Sequence, residues 1–263
     1  MPRVLADKIH LNYVEQGRGE PPLLLLHGLG GSHEIWQPVL GPLAASRRVL
    51  AGDHRSHGGS DKPSGPYSVR LLAGDWVAAM DALGIERADL LGLSLGGAVA
   101  MRIAASHPAR VRALVLVDTW ACPHPEFLGM LRERLLLLAK GDMRAYAEAA
   151  IPQVYSEAFV RANPEAIDAY RARVAQSEPG SLRAAVGACI EHDMRGDLAR
   201  ITARTLVIVG AEDRLTPPLH SHYLFGAIAD AKLVVIEGSA HFPHLEAPDH
   251  FLRCLGRFLD EGG

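Results

Sequence analysis

The apolar positions of this chain change between two spacings over its first half. The continuous apolar run Leu23–Leu26 and the largely apolar stretches Ala88–Leu93 and Val111–Val117 are typical of buried parallel strands. Between these runs, apolar residues recur every three or four positions, as at 69–83 and 95–106, which predicts helices. Strands therefore alternate with helices. This order favours an α/β fold with a doubly wound, mainly parallel sheet. The alternating pattern at 9–15 predicts a half-buried strand that belongs to an N-terminal hairpin.

The alternation stops between about residues 120 and 197. Successive helical patterns follow one another there without a strand between them, at 126–140, 143–151, 164–177 and 182–192. Strand and helix then alternate again from 205 to a final amphipathic helix at 248–259. We predict a core α/β domain in two parts, 1–119 and 198–263, with a helical cap at 120–197 inserted between two strands.

The sequence Gly-x-Ser-x-Gly lies between the strand pattern ending at 93 and the helix pattern beginning at 95. A serine at the apex of a sharp strand-to-helix turn is a nucleophile elbow. Gly92 and Gly96 leave room where a Cβ would meet the neighbouring strand or helix. The turn exposes the Ser94 hydroxyl and directs the N–H of Leu95 toward negative charge beside it. Gly-x-Ser-x-Gly by itself can occur by chance, but its position between a strand and a helix favours Ser94 as a nucleophile.

A serine hydroxyl needs a base to take its proton, and the base needs a third group to hold it. In an elbow-bearing sheet, the acid and then the histidine follow the serine on loops at strand ends. Asp213 follows the strand pattern at 205–209, and His241 follows the one at 233–236. We assign Ser94 as nucleophile, His241 as general base and then acid, and Asp213 as the group that orients His241.

Two members of this triad have rivals in the sequence. Glu212 lies beside Asp213, and Asp118 ends an earlier strand where some proteins of this topology place the acid. We favour Asp213 and interpret Asp118 as a cap or brace of the following loop. His244 competes with His241, but the spacing from the preceding glycine favours His241 and leaves His244 as a polar loop or pocket residue.

The oxyanion hole and the substrate pocket are predicted from the residues around the triad. The N–H of Leu95 and the N–H of Leu29, on the loop after strand 23–26, are the expected oxyanion donors. Side chains at the start of the cap and after His241 can form an acyl or aromatic pocket, although many could be ordinary packing. The pocket candidates are Trp120, Phe127, Met130, Leu131, Arg134 and Phe242. Arg132 and Arg134 either meet a substrate carboxylate or, as is commoner, lie on a solvated face.

A second histidine-rich loop, 53–60, has the spacing of a zinc site. We favour a different interpretation, in which Asp53, His54 and His57 hold a structural turn behind the active site and His27 braces its own loop. Trp36, Trp76 and Met80 have helical spacing and are expected in the core. No metal or cofactor is predicted.

The composition of the chain limits the classes of binding partner that we expect. The 263 residues carry a net charge of −3 without a basic patch, which argues against nucleic acid. No apolar run approaches the ~20 residues of a membrane span, and no signal-peptide pattern is seen. Three separated cysteines, Cys122, Cys189 and Cys254, indicate reduced thiols. We expect a cytoplasmic protein with a small-molecule substrate and no membrane partner, and leave a homo-oligomer open.

The chain resembles the α/β-hydrolase fold family over nearly its full length. The matching motifs are His27-Gly28, Asp53-x-Arg55-x-His57-Gly58-x-Ser60, Gly92-x-Ser94-x-Gly96-Gly97, Gly210-x-x-Asp213, and Gly238-x-x-His241 with Glu246 and Pro248 behind it. Within the family it is most similar to 3-oxoadipate enol-lactonase-like hydrolases, in the scaffold stretches 65–68, 83–88, 107–116 and 206–210. One departure is Ser56, where the family usually has glycine.

This resemblance implies a serine hydrolase that cleaves a small carboxylic ester or lactone, with an enol-lactone as the leading substrate type. Hydrolysis of a C–C bond or a cofactor-free perhydrolase (haloperoxidase) activity could use the same triad. A small-molecule sensor with little or no turnover is a third, less favoured interpretation, because the triad and elbow are intact.

Overall fold

An eight-stranded sheet forms the centre of the computed structural model, which describes residues 2–261. The strands are β1 (Arg3–Ala6), β2 (Ile9–Gln16), β3 (Leu23–Leu26), β4 (Val49–Gly52), β5 (Ala88–Leu93), β6 (Val111–Val117), β7 (Arg204–Gly210) and β8 (Ala231–Ile236). Their order is β1-β2-β4-β3-β5-β6-β7-β8. Strand β2 is antiparallel to β1 and β4, and the strands from β4 to β8 are all parallel. The predicted mainly parallel α/β sheet is confirmed.

Helices cover both faces of this sheet. They are α1 (Gln37–Ala44), α2 (Val69–Ala82), α3 (Leu95–Ser106), α4 (Pro125–Ala139), α5 (Met143–Val154), α6 (Glu157–Ala162), α7 (Pro164–Ala175), α8 (Pro179–Glu191), α9 (Pro218–Ala227), α10 (Pro243–Glu246) and α11 (Pro248–Asp260), with 3-10 turns at His33–Trp36, Pro108–Arg110 and Leu198–Arg200. Strands β3 and β5 are wholly buried, as their continuous apolar runs predict. Trp36, Trp76 and Met80 are in the core, as expected.

Parallel strands place the residues that follow them at one edge of the sheet. Ser94 directly follows β5, Asp213 follows β7, and His241 follows β8. Strands β5, β6, β7 and β8 are consecutive neighbours in the sheet. Residues separated by 147 positions in the chain therefore meet above a few adjacent strand ends.

Five helices, α4 to α8, lie between β6 and β7, and we call them the helical insertion. Within it, α4 packs on α8 and α5 packs on α7. Four of the five follow the helical patterns in the sequence. The exception is α6, whose six residues are too few for an apolar repeat to appear; its hydrogen-bonded cap, Ser156, was the available signal. No helix within residues 2–261 is both long enough and apolar enough to cross a membrane.

Several buried histidines make the fold sensitive to acid. Burial lowers the pKa of His244 from 6.5 to about 3, and the pKa values of His192 and His220 to about 4. A buried base with a lowered pKa binds its proton more readily in the unfolded chain. Its contribution to stability is therefore complete above pH 6.5 and is lost as the pH falls toward 4 and then 3.

We expect the free energy of unfolding to decrease steadily below about pH 6.5, because the unfolded chain takes up more protons than the folded one. Urea unfolding at a series of pH values measures this slope. The variant His244→Gln should show a shallower slope, whereas His222→Gln, at an exposed position on α9, should leave it unchanged. Equal slopes for wild type and His244→Gln would contradict the prediction.

Candidate active site

Ser94 occupies a strained turn between β5 and α3. Its backbone angles are φ 54° and ψ −118°, a region that residues other than glycine rarely enter. The Ser94 N–H donates to the carbonyl of Val117 at 2.9 Å, which attaches the turn to β6. A Cβ on Gly92 would lie 2.2 Å from the Gly96 carbonyl oxygen, and one on Gly96 would lie 2.1 Å from that of Leu26. The turn thus requires glycine at both positions.

Asp213 and His241 form a buried hydrogen-bonded pair. The distance between His241 Nδ1 and Asp213 Oδ2 is 2.8 Å. An ionised carboxylate can only accept, so Nδ1 carries the proton and Nε2 is left as the acceptor. The other Asp213 oxygen, Oδ1, accepts the N–H groups of Leu215 and Thr216 at 2.8 and 3.1 Å. Burial raises the pKa of Asp213, but His241, with smaller contributions from the Thr216 and Asp118 side chains, outweighs burial, and the pKa is lowered overall.

Ser94 and His241 line one small cavity, of about 30 Å³. Leu29 and Phe242 also line it, and a Cβ on Gly28 would lie 3.7 Å from the Ser94 hydroxyl oxygen. The loop after β3 is thus against the serine. Leu95, the other proposed oxyanion donor, begins α3 directly after Ser94. The arrangement can hold a carbonyl group between a nucleophile, a base and two backbone N–H groups.

The predicted pocket residues divide into two groups. Arg134 and Phe242 line the cavity, but the structure does not place Trp120, Phe127, Met130 or Leu131 in its wall. Arg134 reaches the cavity and Phe127 does not because the two residues lie seven positions, or about 10 Å, apart along the axis of α4. The beginning of α4 packs elsewhere, with the Phe127 ring against the Trp120 ring at 4.9 Å. For those residues, the ordinary packing interpretation describes the structure.

Several wall residues were missed by the sequence analysis. They are Ile35, Tyr146, Val154, Tyr170, Arg173 and Leu215. A usable signal existed for one helix. In α7, Ile167 and Val174 are buried, and the same spacing brings Tyr170 and Arg173 close to that inward face. Periodicity could have indicated the face, but not which cavity it reaches.

Two arginines of the helical insertion, Arg134 and Arg173, project into this cavity without a carboxylate partner among the described residues. Only 5% of Arg134 is exposed, and its Nη2 donates to the Gln153 side chain at 2.7 Å. The Nε atoms of both arginines are buried and have no hydrogen-bond acceptor in the described part of the chain. Each guanidinium instead lies near a tyrosine ring, at 5.8 Å from Tyr146 and 5.2 Å from Tyr170. The cavity is therefore cationic on the side formed by the helical insertion.

Arg132, the other arginine considered for a substrate carboxylate, is exposed on α4. It has the solvated position that is usual for arginine. Burial raises the pKa values of Tyr146 and Tyr170, so both phenols are neutral beside Arg134 and Arg173. No negative side chain in the cavity wall offsets their charge.

The buried histidines His27, His54 and His57 hold the loop after β3. The Trp76 indole donates to His54 Nδ1 at 2.8 Å, so the His54 Nε2–H donates to the carbonyl of His27 at 3.0 Å. His57 Nε2 accepts the Gly30 N–H at 3.1 Å. Burial lowers the pKa values of all three. Their nitrogens are occupied by these bonds, which supports bracing over metal binding.

Ser56 directly precedes His57 and adopts a φ of 69°, in the left-handed region. Glycine enters that region without strain, which explains the family preference at this position. The serine adopts the turn nevertheless, and its hydroxyl lies 3.2 Å from His57 Nδ1.

Asp118, the rival acid, is wholly buried beside the pair. Among residues 2–261, donor atoms of Asp118, Asp213 and His241 lie within 4.8 Å of one another, close enough for a metal ion. However, Asp213 Oδ2 and His241 Nδ1 are already hydrogen-bonded to each other, and the Thr216 hydroxyl lies 2.7 Å from Asp213 Oδ2. The geometry fits a hydrogen-bonded triad better than a metal centre.

The family description "alpha/beta hydrolase fold" matches residues 21–248. A putative carbamate hydrolase RutD of Pseudomonas savastanoi is 33% identical over 91% of this chain and 94% of its own. The crystal structure of the enol-lactonase from Burkholderia xenovorans has a TM-score of 0.93 and 29% identity, covering 98% of this chain and all of the other. A malate-bound thermophilic esterase from Thermogutta terrifontis has a TM-score of 0.91 and 28% identity, covering 99% and 98%.

Replacing Gly96 by alanine should destabilise the fold by about 3 kcal/mol, because the added Cβ meets the backbone carbonyl of Leu26 and neither can yield easily. The matched control is Gly74→Ala. Gly74 is exposed on α2 with nothing within 4 Å, so alanine should stabilise by up to about 1 kcal/mol. Thermal unfolding measures both, and an unaffected Gly96→Ala would show that the elbow is not tightly packed.

Proposed function

This chain belongs to the α/β-hydrolase fold family and is a hydrolase of that fold, and from this premise we propose that it cleaves a small carboxylic ester or lactone through Ser94, His241 and Asp213. The observation that carries the proposal is the shared cavity. A strained serine directly after β5 and a carboxylate-held imidazole after β8 both line it, which supports the proposal.

In the proposed reaction, His241 Nε2 takes the proton of Ser94 as the hydroxyl oxygen attacks the substrate carbonyl. The resulting oxyanion accepts the N–H groups of Leu29 and Leu95, and each such donor is typically worth ~3 kcal/mol in the transition state. The imidazolium then protonates the departing alkoxide or enolate, leaving an acyl-serine. Water, deprotonated by His241, releases the acid and restores the hydroxyl.

We further propose that the substrate carries a carboxylate. Arg134 is a buried cation and Arg173 a half-buried one, both have an unused Nε–H at the cavity, and a desolvated charge without a counter-ion is unfavourable. A substrate carboxylate would supply the counter-ion and the missing acceptors. The similarity to an enol-lactonase and to an esterase described as malate-bound supports an enol-lactone or another ester of an acidic compound.

A carbamate is a second candidate, because a relative covering nine-tenths of the chain is named a putative carbamate hydrolase. Its carbonyl would meet the same nucleophile and oxyanion donors. Cleavage of a C–C bond in a diketone and perhydrolysis also remain proposals on the same triad. Initial rates with p-nitrophenyl esters, lactones, carbamates and vinylogous diketones separate these activities.

The variant Ser94→Ala should lose activity by a factor of about 10⁴ or more, because no other hydroxyl can form the acyl-enzyme. Circular dichroism should show an unchanged fold, and a serine-reactive phosphonate should label the wild type and not the variant. Full activity in Ser94→Ala would refute the nucleophile. Tight ligand binding without turnover in the wild type would favour the sensor interpretation.

The arginine proposal predicts a difference between paired substrates. With an ester that carries a carboxylate, Arg134→Gln or Arg173→Gln should reduce kcat/KM about 10- to 100-fold, the usual value of a lost charge-assisted hydrogen bond. With the matched neutral amide of that ester, the reduction should be smaller than threefold. Arg132→Gln, two residues from Arg134 but exposed, is the control and should change neither substrate. Equal losses with both substrates would exclude a carboxylate contact.

A further inference from the structure

Asp118 is a buried carboxyl group that the proposed reaction does not use. It follows β6, adopts a φ of 44°, and has no exposed surface. Its Oδ1 accepts the Gly210 N–H at 2.9 Å. No group in the described part of the chain donates to its Oδ2. An ionised carboxylate has room for several donors and is costly to bury with one.

Asp213, in contrast, accepts several hydrogen bonds. Two backbone N–H groups donate to its Oδ1, and the imidazole of His241 donates to its Oδ2. The Thr216 hydroxyl lies 2.7 Å from Asp213 Oδ2 and 3.0 Å from the Asp118 carbonyl oxygen, and its one proton can serve only one of them. Asp213 is therefore built to hold a negative charge, with space for one more donor.

The two carboxyl groups are close neighbours. One carboxylate oxygen of each lies within 4.8 Å of the other and of a ring nitrogen of His241. Two buried carboxyl groups at this separation do not both ionise at neutral pH, and one keeps its proton. The number of hydrogen-bond donors decides which carboxyl group keeps the proton, because three or four donors stabilise a negative charge on Asp213 and only one stabilises a charge on Asp118.

We propose that Asp118 is a positioning residue that stays protonated at neutral pH and donates its Oδ2 proton to Asp213. The proton binds the two carboxyl groups together, so that one negative charge, on Asp213, faces His241. The inference rests on the proposed role of Asp213 in the triad. It assigns Asp118 neither the role of catalytic acid nor that of an inert loop brace.

The electrostatic surroundings agree with this assignment. Burial raises the pKa of Asp118 well above its usual range, and the charge of Asp213 raises it further. Within residues 2–261, His241 and Glu246 are further titratable groups beside it. Glu246 accepts the N–H groups of Ser156 and Ala240 and adds to the shift in the same direction.

Asparagine at position 118 distinguishes a protonated from an ionised carboxyl group. In Asp118→Asn the amide oxygen can accept from Gly210 and the amide NH₂ can donate to Asp213, as the proposed neutral acid does. Asparagine also tolerates a left-handed φ. If Asp118 is neutral, kcat/KM should stay within about threefold, and the acid limb of its pH profile should not move.

If Asp118 is instead ionised, Asp118→Asn removes a negative charge within 4.8 Å of His241. The imidazolium would lose a stabilising anion, and the acid limb would move to lower pH by about two units, from Coulomb's law at an effective dielectric constant of about 20. Such a shift would overturn the proposal.

Asp118→Gly tests whether the donor matters, since glycine adopts this φ without strain. It should reduce kcat/KM about 10- to 100-fold, the cost of a lost hydrogen bond to a charged group, and Asp118→Asn should restore most of that loss. Equal activity of Asp118→Gly and wild type would refute the positioning role. Asp213→Asn, the matched change in the partner, should lose about 10⁴-fold because the His241 tautomer is no longer held.

A measurement without substrate keeps the inference separate from the proposed function and from any folding defect of Asp118→Gly. The infrared difference spectrum of wild type minus Asp118→Asn at neutral pH should contain the C=O stretch of a protonated carboxyl group, shifted in D₂O. A carboxylate band in its place would refute the proposal. The band should be present even if Ser94→Ala were to retain activity, in which case only the proposed function fails.

Discussion

The candidate site depends on a backbone contact that leaves no room for a side chain. The first turn of α3 lies so close to the end of β3 that a single carbon on Gly96 would touch the carbonyl of Leu26. This approach brings the loop after β3 against Ser94, and with it one of the two proposed oxyanion donors. The strain in the Ser94 backbone persists because β5, β6 and α3 hold the turn from three sides, as expected where tight packing over-determines one residue.

Neutral histidines help to hold the loop that carries Leu29, one of the two proposed oxyanion donors. His54 accepts from Trp76 and donates to the carbonyl of residue 27, and His57 donates to the carbonyl of residue 55 and accepts from the N–H of residue 30. A neutral imidazole can satisfy both roles at once, whereas a protonated ring can only donate. Burial keeps the rings neutral, so the desolvation that disfavours their charge also maintains the loop geometry.

Much of the fold could be predicted from the sequence because the central strands are covered on both faces. Leu23–Leu26 is an unbroken apolar run, Ala88–Leu93 and Val111–Val117 are apolar apart from Asp89 and Arg112, and the bounds of all three in the structure agree with the sequence pattern. The triad candidates follow from the same regularity, since each directly follows a strand. The cavity wall could not be predicted in this way. Helical periodicity shows which face of α4 is buried but not which turn reaches Ser94, so Phe127 and Leu131 were favoured while Tyr146 and Arg173 were missed.

The size of the cavity has a kinetic consequence. The cavity is small, about 30 Å³, and only 5% of Ser94 is exposed. Helices α4, α5 and α7 contribute Arg134, Tyr146 and Tyr170 to its wall, so a movement of these helices away from the loop after β3 would widen it. The two polypeptide connections that permit this motion leave β6 and enter β7, and the first begins at Asp118. Opening of the cavity would then limit the rate of turnover, and substitutions at these connections would alter kcat and KM together.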